Sequence, residues 1–370
     1  MCKTIRFGIQ TQRSTLFSIL LSAAAISAVA ISLFSPDIAC AQQATAASFQ
    51  AASRPTIIRI DVPGAVGTIP QSINSSGEVQ GYDVDANNHL HGFLRATDGT
   101  ITTFDAPGAI TTFPANINDR GLVSGLYVDA NSVGHGFVRS TSGKFTKINV
   151  PGAGTGTNQG TYAHSINDGG AVTGNYVDGN NIEHGFVRAG GTITTFDVPG
   201  AQGTIPFFIN SSNVIAGIDS DSVGLHSFVR TSGGVISTFD APGSSGDTFA
   251  GGLSSTGQVA GFFTDASNVS HGFLRTPDGQ FLTLDYPGAS QTIAFGINTS
   301  GVIVGSYSDA NNVSHGFVRS TGGLYTAFNA PGAGKGANQG TSAVRINDDG
   351  SIIGNYTDAK NAVHGFLRTP

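Results

Sequence analysis

The chain ends in His364-Gly-Phe-Leu-Arg-Thr-Pro370, and near its beginning stands Thr56-Ile-Ile-Arg-Ile-Asp61. Between them, every run of the first kind is followed one turn later by a run of the second kind. His91-Gly-Phe-Leu-Arg95, for example, precedes Ile101-Thr-Thr-Phe-Asp105. The last His-Gly-Phe run lacks its follower, and Thr56–Asp61 lacks its predecessor. The economical reading is a closed ring whose final unit is completed by the N-terminal strand.

The count of units supports a ring. Pro-Gly recurs at Pro63, Pro107, Pro151, Pro199, Pro242, Pro287 and Pro331, and the His-Gly-Phe run (His-Ser-Phe at His226) also occurs seven times. The spacing is roughly 42–49 residues, the length of a four-stranded propeller blade. Each unit holds four short runs, illustrated by Thr68–Ile73, Glu78–Tyr82, His91–Arg95 and Ile101–Asp105. All are rich in β-branched or aromatic residues and bounded by Gly, Asn and Asp turns. The expected fold is all-β, a seven-bladed β-propeller spanning 56–370 and closed by its N-terminal strand. A straight β-solenoid is the rival.

The segment before the repeats carries Lys3, Arg6 and Arg13, then an apolar stretch from Leu16 to Phe34, then Ala39-Cys40-Ala41. This predicts an export signal over 1–41 and a flexible Ala/Gln/Ser-rich leader over 42–55. A secreted or periplasmic location is expected, with no membrane association after cleavage. Both cysteines, Cys2 and Cys40, fall in that signal, so thiol chemistry and Cys-ligated metals are excluded from the mature chain. Without Lys3, Arg6, Arg13 and Asp37 there remain 15 basic and 23 acidic residues, a net charge of −8. That balance argues against nucleic acid as a partner. A monomer is expected.

Ile117-Asn-Asp-Arg-Gly-Leu-Val-Ser-Gly125 followed by His135-Gly-Phe-Val-Arg139 resembles the bacterial extracellular repeats of the HAF family. The resemblance covers all seven units, with Gly in place of the Ala of His-Ala-Phe and a Phe-Asp-Ala-Pro-Gly-Ala segment in place of a Leu-Gly-Gly-rich one. It implies an exported repeat protein and brings no activity or catalytic residues.

Seven histidines in register suggest a metal, but in six of them a spacing of 13 or 14 residues to an Asp or Asn puts the histidine opposite that residue across a hairpin. His91/Asp105 and His184/Asp197 are two cases. Structural pairing is the better reading. The Asp85-type turns lack the bidentate Glu of a calcium loop, and the arginines ending each His-Gly-Phe run read as blade-edge solubility or ion-pair residues. No metal or other cofactor is expected. No Gly-x-Ser-x-Gly elbow, phosphate loop or His-Glu-x-x-His motif is present.

In a repeat protein the shared residues build the scaffold, so a specific site is sought where the units differ. One column of the first run reads Gln71, Ala115, His164, Phe207, Gly251, Phe295, Val344; the next reads Ser72, Asn116, Ser165, Phe208, Gly252, Gly296, Arg345. His164 and Arg345 are the candidate catalytic pair. Gln71, Asn116, Phe207 and Phe295 are candidate ligand contacts, joined by Asn158-Gln159 and Asn338-Gln339 of two lengthened loops. The expected function is binding or surface interaction with a glycan or cell-envelope polymer. The alternative is a secreted polysaccharide lyase or hydrolase working at the channel mouth, with His164 as base and Arg345 holding an anionic group.

Overall fold

The structure, a computed structural model, describes residues 55–370. The expected export signal and the leader through Arg54 lie outside the described residues. Twenty-eight strands, β1 to β28 in chain order, make up the secondary structure, with no helix among the described residues. They pair as seven antiparallel four-stranded sheets. The first is β2 (Gly67–Ile73), β3 (Val79–Val84), β4 (Leu90–Arg95) and β5 (Ile101–Phe104). The seventh takes its outer strand from the other end of the chain. β1 (Thr56–Ile60) runs antiparallel to β28 (Val363–Thr369), with Ile58 opposite Leu367 and Ile60 opposite Gly365. The expected closure is therefore present.

Each sheet is built by the same residues. The phenylalanine of every His-Gly-Phe run, from Phe93 to Phe366, is at most 1% exposed. It lies over a glycine of the second strand. At Gly81 a Cβ would collide with the Ile69 carbonyl and approach the Phe93 ring at 2.9 Å, so any side chain would push the first strand off the sheet. Cores form between blades. Ile73, Val79 and Phe93 of the first blade pack on Ile353 and Leu367 of the seventh. Burying a large apolar side chain in this way stabilises by about 1.5–3 kcal/mol.

The first strands touch the first strands of neighbouring blades and so form the inner wall. Two sets of repeated polar side chains tie this wall together. The threonine that opens each first strand accepts the backbone N–H just before the Pro-Gly pair, at 2.9–3.2 Å in all seven blades, as Thr68 does from Val62 and Thr112 from Ala106. The asparagine after each first strand does two jobs. Its Oδ1 caps its own turn, as Asn118 does for Leu122 N–H. Its amide meanwhile donates to the next blade's backbone: Asn74 to Asn118, Asn118 to Asn167, Asn167 to Asn210, Asn210 to Ser254, Asn298 to Asn347, and Asn347 back to Asn74. Only the fifth blade, with Ser254, breaks the belt.

Four of the seven arginines of the His-Gly-Phe runs pack between blades instead of standing as solvent-facing edge charges. Arg139 lies 4.4 Å from the ring centre of Phe104 in the preceding blade, and Arg230, Arg275 and Arg368 lie likewise over Phe196, Phe239 and Phe328. They are clamps between blades, worth about 0.5–2 kcal/mol each, and their burial depresses the guanidinium pKa.

Candidate functional site

Two surfaces gather the residues singled out above: the face carrying the Pro-Gly loops, and the wall of the central channel. On the loop face, each histidine bonds through Nδ1 to the residue at the end of the outer strand. The distances are 2.9–3.2 Å, to Asp105, Asn149, Asp197, Asp240, Asp285, Asn329 and, for His364, Asp61. Nε2 points to the turn aspartate of the same blade, as in His135–Asp129 at 3.1 Å and His364–Asp358 at 3.4 Å. The imidazole is thus held between two polar partners and packs on an aromatic across the strand pair in five blades, stacked in three of them, as Tyr176 is with His184 at 4.9 Å. These are structural posts, one per blade, and among the described residues no group of three His, Asp or Glu could hold a metal ion.

Two blades depart from this. Asp83 and Asp219 stand where the others have Tyr or Phe, opposite His91 and His226. Each is 5% exposed, and its Oδ1 has no hydrogen-bond partner. Burial raises both carboxyl pKa values, Asp219 to about 6. His91 is raised by its bond to Asp105; for His226, burial opposes but Asp240 and Asp221 prevail and raise it.

The turns of this face are self-sufficient. Asp85 Oδ1 accepts the N–H groups of Asn87 and His89 at 2.8 Å, and Asn88 takes the left-handed conformation at φ 64°. The two long loops are knit into these turns. Gln159 accepts Gly156 N–H and donates to Asn181; Gln339 accepts Gly336 N–H and donates to Asn361. Asn158 N–H donates to Ser132 of the neighbouring blade, and Asn338 accepts the Asn312 amide at 2.7 Å. The glutamines therefore build the loops, while the Asn158 and Asn338 side chains stay exposed.

In the channel, the variable column has a structural definition. All seven first strands slip register by one residue at the same place, and the extra residue is Gln71, Ala115, His164, Phe207, Gly251, Phe295 or Val344. A bulge re-aims side chains and frees its residue from the ladder, so this column varies without disturbing the sheet. His164 Nε2 bonds Asn175 Oδ1 at 2.8 Å, and its ring packs edge-to-face with Phe207, the ring centres 5.3 Å apart. Burial pushes its pKa down to about 4 against the pull of Asn175, which makes it a weak proton acceptor near neutrality. Arg345 crosses the axis: Nη1 donates to the carbonyls of Gly251 at 3.2 Å, Val344 at 3.0 Å and Phe295 at 3.5 Å, and the guanidinium lies 5.1 Å from the Phe208 ring centre. Asn116 bonds Ser72 at 3.1 Å. Gln71 is buried. The channel thus pairs His164 with Phe207 and Arg345 with the Phe295 backbone, whereas Gln159, Asn338 and Gln339 make their side-chain bonds at the outer turns, and Asn158 is held there through its backbone.

The far end of the channel opens on a pocket of about 180 Å³ floored by Ile73, Leu253, Ile297 and Ile346, with Asp119 and Asp348 on its rim. Those aspartates cap neighbouring turns, accepting Ser75 and Thr299 N–H at 2.8 Å. Sequence reading did not find this rim.

This geometry defines a β-propeller, and solved structures agree. The chain is similar to a streptogramin B lyase (TM-score 0.57, 14% identity, 85% of this chain and 98% of that one). It is similar to virginiamycin B lyase from Staphylococcus aureus, in a catalytically inactive form with quinupristin (TM-score 0.55, 14% identity, 86% and 100%). It also matches a puromycin hydrolase (TM-score 0.53, 12% identity, 82% and 53%). No family model and no curated protein matches the sequence. At these identities the likeness concerns the fold alone.

Proposed function

We propose that this propeller is an exported binding or surface-interaction protein whose loop face recognises a repeating polymer, a glycan or another cell-envelope polymer. The observation carrying this reading is seven-fold presentation. Every blade offers an exposed Pro-Gly pair beside an Asp-capped turn. Weak, equivalent contacts repeated around a ring favour a ligand that is itself repetitive, because avidity multiplies them without new chemistry. Exposed Asn side chains on these short turns, such as Asn87 and Asn88, suit hydrogen bonding to hydroxyl-rich ligands. The resemblance to HAF repeats and the basic–apolar N-terminal segment support export. The depressed pKa of His164 weighs against the lyase or hydrolase alternative, since the two variable columns hold no other His, Asp or Glu among the described residues. A polysaccharide pull-down and glycan array test the proposal. Retention should grow steeply with polymer length; no retention of any polymer overturns it.

A further inference from the structure

Arg345 is a cation without an anion. No carboxylate of the described residues pairs with it, and burial is the sole influence on its acidity, lowering its pKa to about 10 so that it stays charged at neutral pH. Its hydrogen bonds all leave from Nη1, so Nη2 and Nε, one edge of the planar fork, carry no acceptor. The side chain nevertheless keeps partial solvent access, as do Phe207, Phe208 and Phe295, so the channel around it contains space that solvent reaches. An enclosed charge without a counter-charge is costly. Carbonyl dipoles offset only the Nη1 side.

We propose that the axial channel is a carboxylate site, in which the free Nη2–Nε edge of Arg345 takes the carboxylate and Phe207, Phe208 and Phe295 hold the apolar part of the ligand. Two parallel N–H donors match the two oxygens of a carboxylate, a geometry that lysine cannot reproduce. Aromatic walls suit the C–H face of a small ring, which points to a sugar acid or a similar compact organic acid. This site is separate from the loop face and stands or falls apart from it.

The test uses the full chain with D-glucuronate, D-glucose and sulfate at matched ionic strength, read by calorimetry and by the Arg Nε–Hε resonances in NMR. Glucuronate should bind saturably and shift the Arg345 resonance, and glucose should do neither. Arg345→Lys should weaken glucuronate on the order of tenfold, and Arg345→Gln should abolish binding. Absence of saturable glucuronate binding to the wild type, or its survival in Arg345→Gln, overturns the proposal. Sulfate binding as tight as glucuronate overturns the carboxylate assignment. Should Arg345→Gln fail to fold, the wild-type titration and Arg345→Lys decide. Polymer retention by the loop face should be unchanged in the folded variants.

Discussion

His364 and Asp61 are hydrogen-bonded at 3.0 Å across 303 residues of chain. Six of the seven histidine posts are made within one local hairpin; this one joins the last strand to the first. The ring is closed by a side-chain pair as well as by the backbone ladder between β1 and β28.

Removal of residues 42–61 therefore deletes the outer strand of one blade, the buried Ile60 and the partner of His364. The cost should be several kcal/mol, a large fraction of the total for a typical domain. Equilibrium denaturation reads it directly. A truncated chain that melts at the wild-type temperature rules out closure by this strand. Asp61→Ala alone should cost on the order of 1 kcal/mol.

Stability should decline as pH rises through about 6. Asp219 has a folded pKa raised above its ordinary value, so the folded chain holds a proton that the unfolded chain has already released. The contribution is fully present below the ordinary carboxyl pKa of 3.8 and is lost as pH rises from there through about 6. His226, also raised, acts in the same sense: its contribution is present at low pH and vanishes as the ring loses its charge. Asp219→Asn should flatten the profile by on the order of 1–2 kcal/mol. Thermal melts of wild type and variant between pH 5 and 8 decide it; parallel profiles count against a buried Asp219.

The broken belt can be mended. Ser254 occupies the one place where the asparagine amide is missing, and the asparagines on either side, Asn210 and Asn298, make their links. Ser254→Asn should add a donor toward the Asn298 carbonyl while keeping the turn cap now made with Gln258 N–H. A gain of about 0.5–1.5 kcal/mol is expected. Conversely, Asn118→Ala should lose about 1–3 kcal/mol, because the Leu122 N–H and the Asn167 carbonyl both lose a partner. A melting temperature unchanged in both variants would show the belt to be incidental.

Arg139→Ala should destabilise by about 1 kcal/mol through loss of the Phe104 contact between the first two blades. Arg139→Lys should recover little of it, since the flat guanidinium supplies the stacking. Full recovery by lysine in urea titrations would return this residue to a solubility role.

Much of this architecture is legible in the sequence because it repeats. The strand runs, the closing strand and the histidine pairs depend on local spacing, and a 14-residue interval around one turn fixes what faces what. The belt was not legible for the opposite reason. Asn118 reads as a turn residue since its cap at Leu122 is local, whereas its second bond goes to Asn167, 49 residues away in the next blade. The arginines misled similarly: Arg139 ends a strand beside a turn, and only the packing of one blade on another supplies Phe104. The candidate site was half legible. The variable column was visible as disagreement between units, but its cause, a bulge in every inner strand, requires the pairing register. The glutamines of the long loops looked like ligand contacts because nothing local reveals Asn181 and Asn361 as their partners.

The closing strand also sets a timetable. Thr56–Ile60 is synthesised some 305 residues or more ahead of its pairing partners, Ile60 pairing with Gly365 and Thr56 with Thr369, which at 5–20 residues per second is a wait of about 15–60 s. During that time Thr-Ile-Ile-Arg-Ile is an orphan edge with three isoleucines, the kind of segment that recruits strands from other chains. Arg59 in its midst is the single charge to discourage this. Folding therefore finishes with a race between the last strand finding the first and a second unfolded chain finding it sooner.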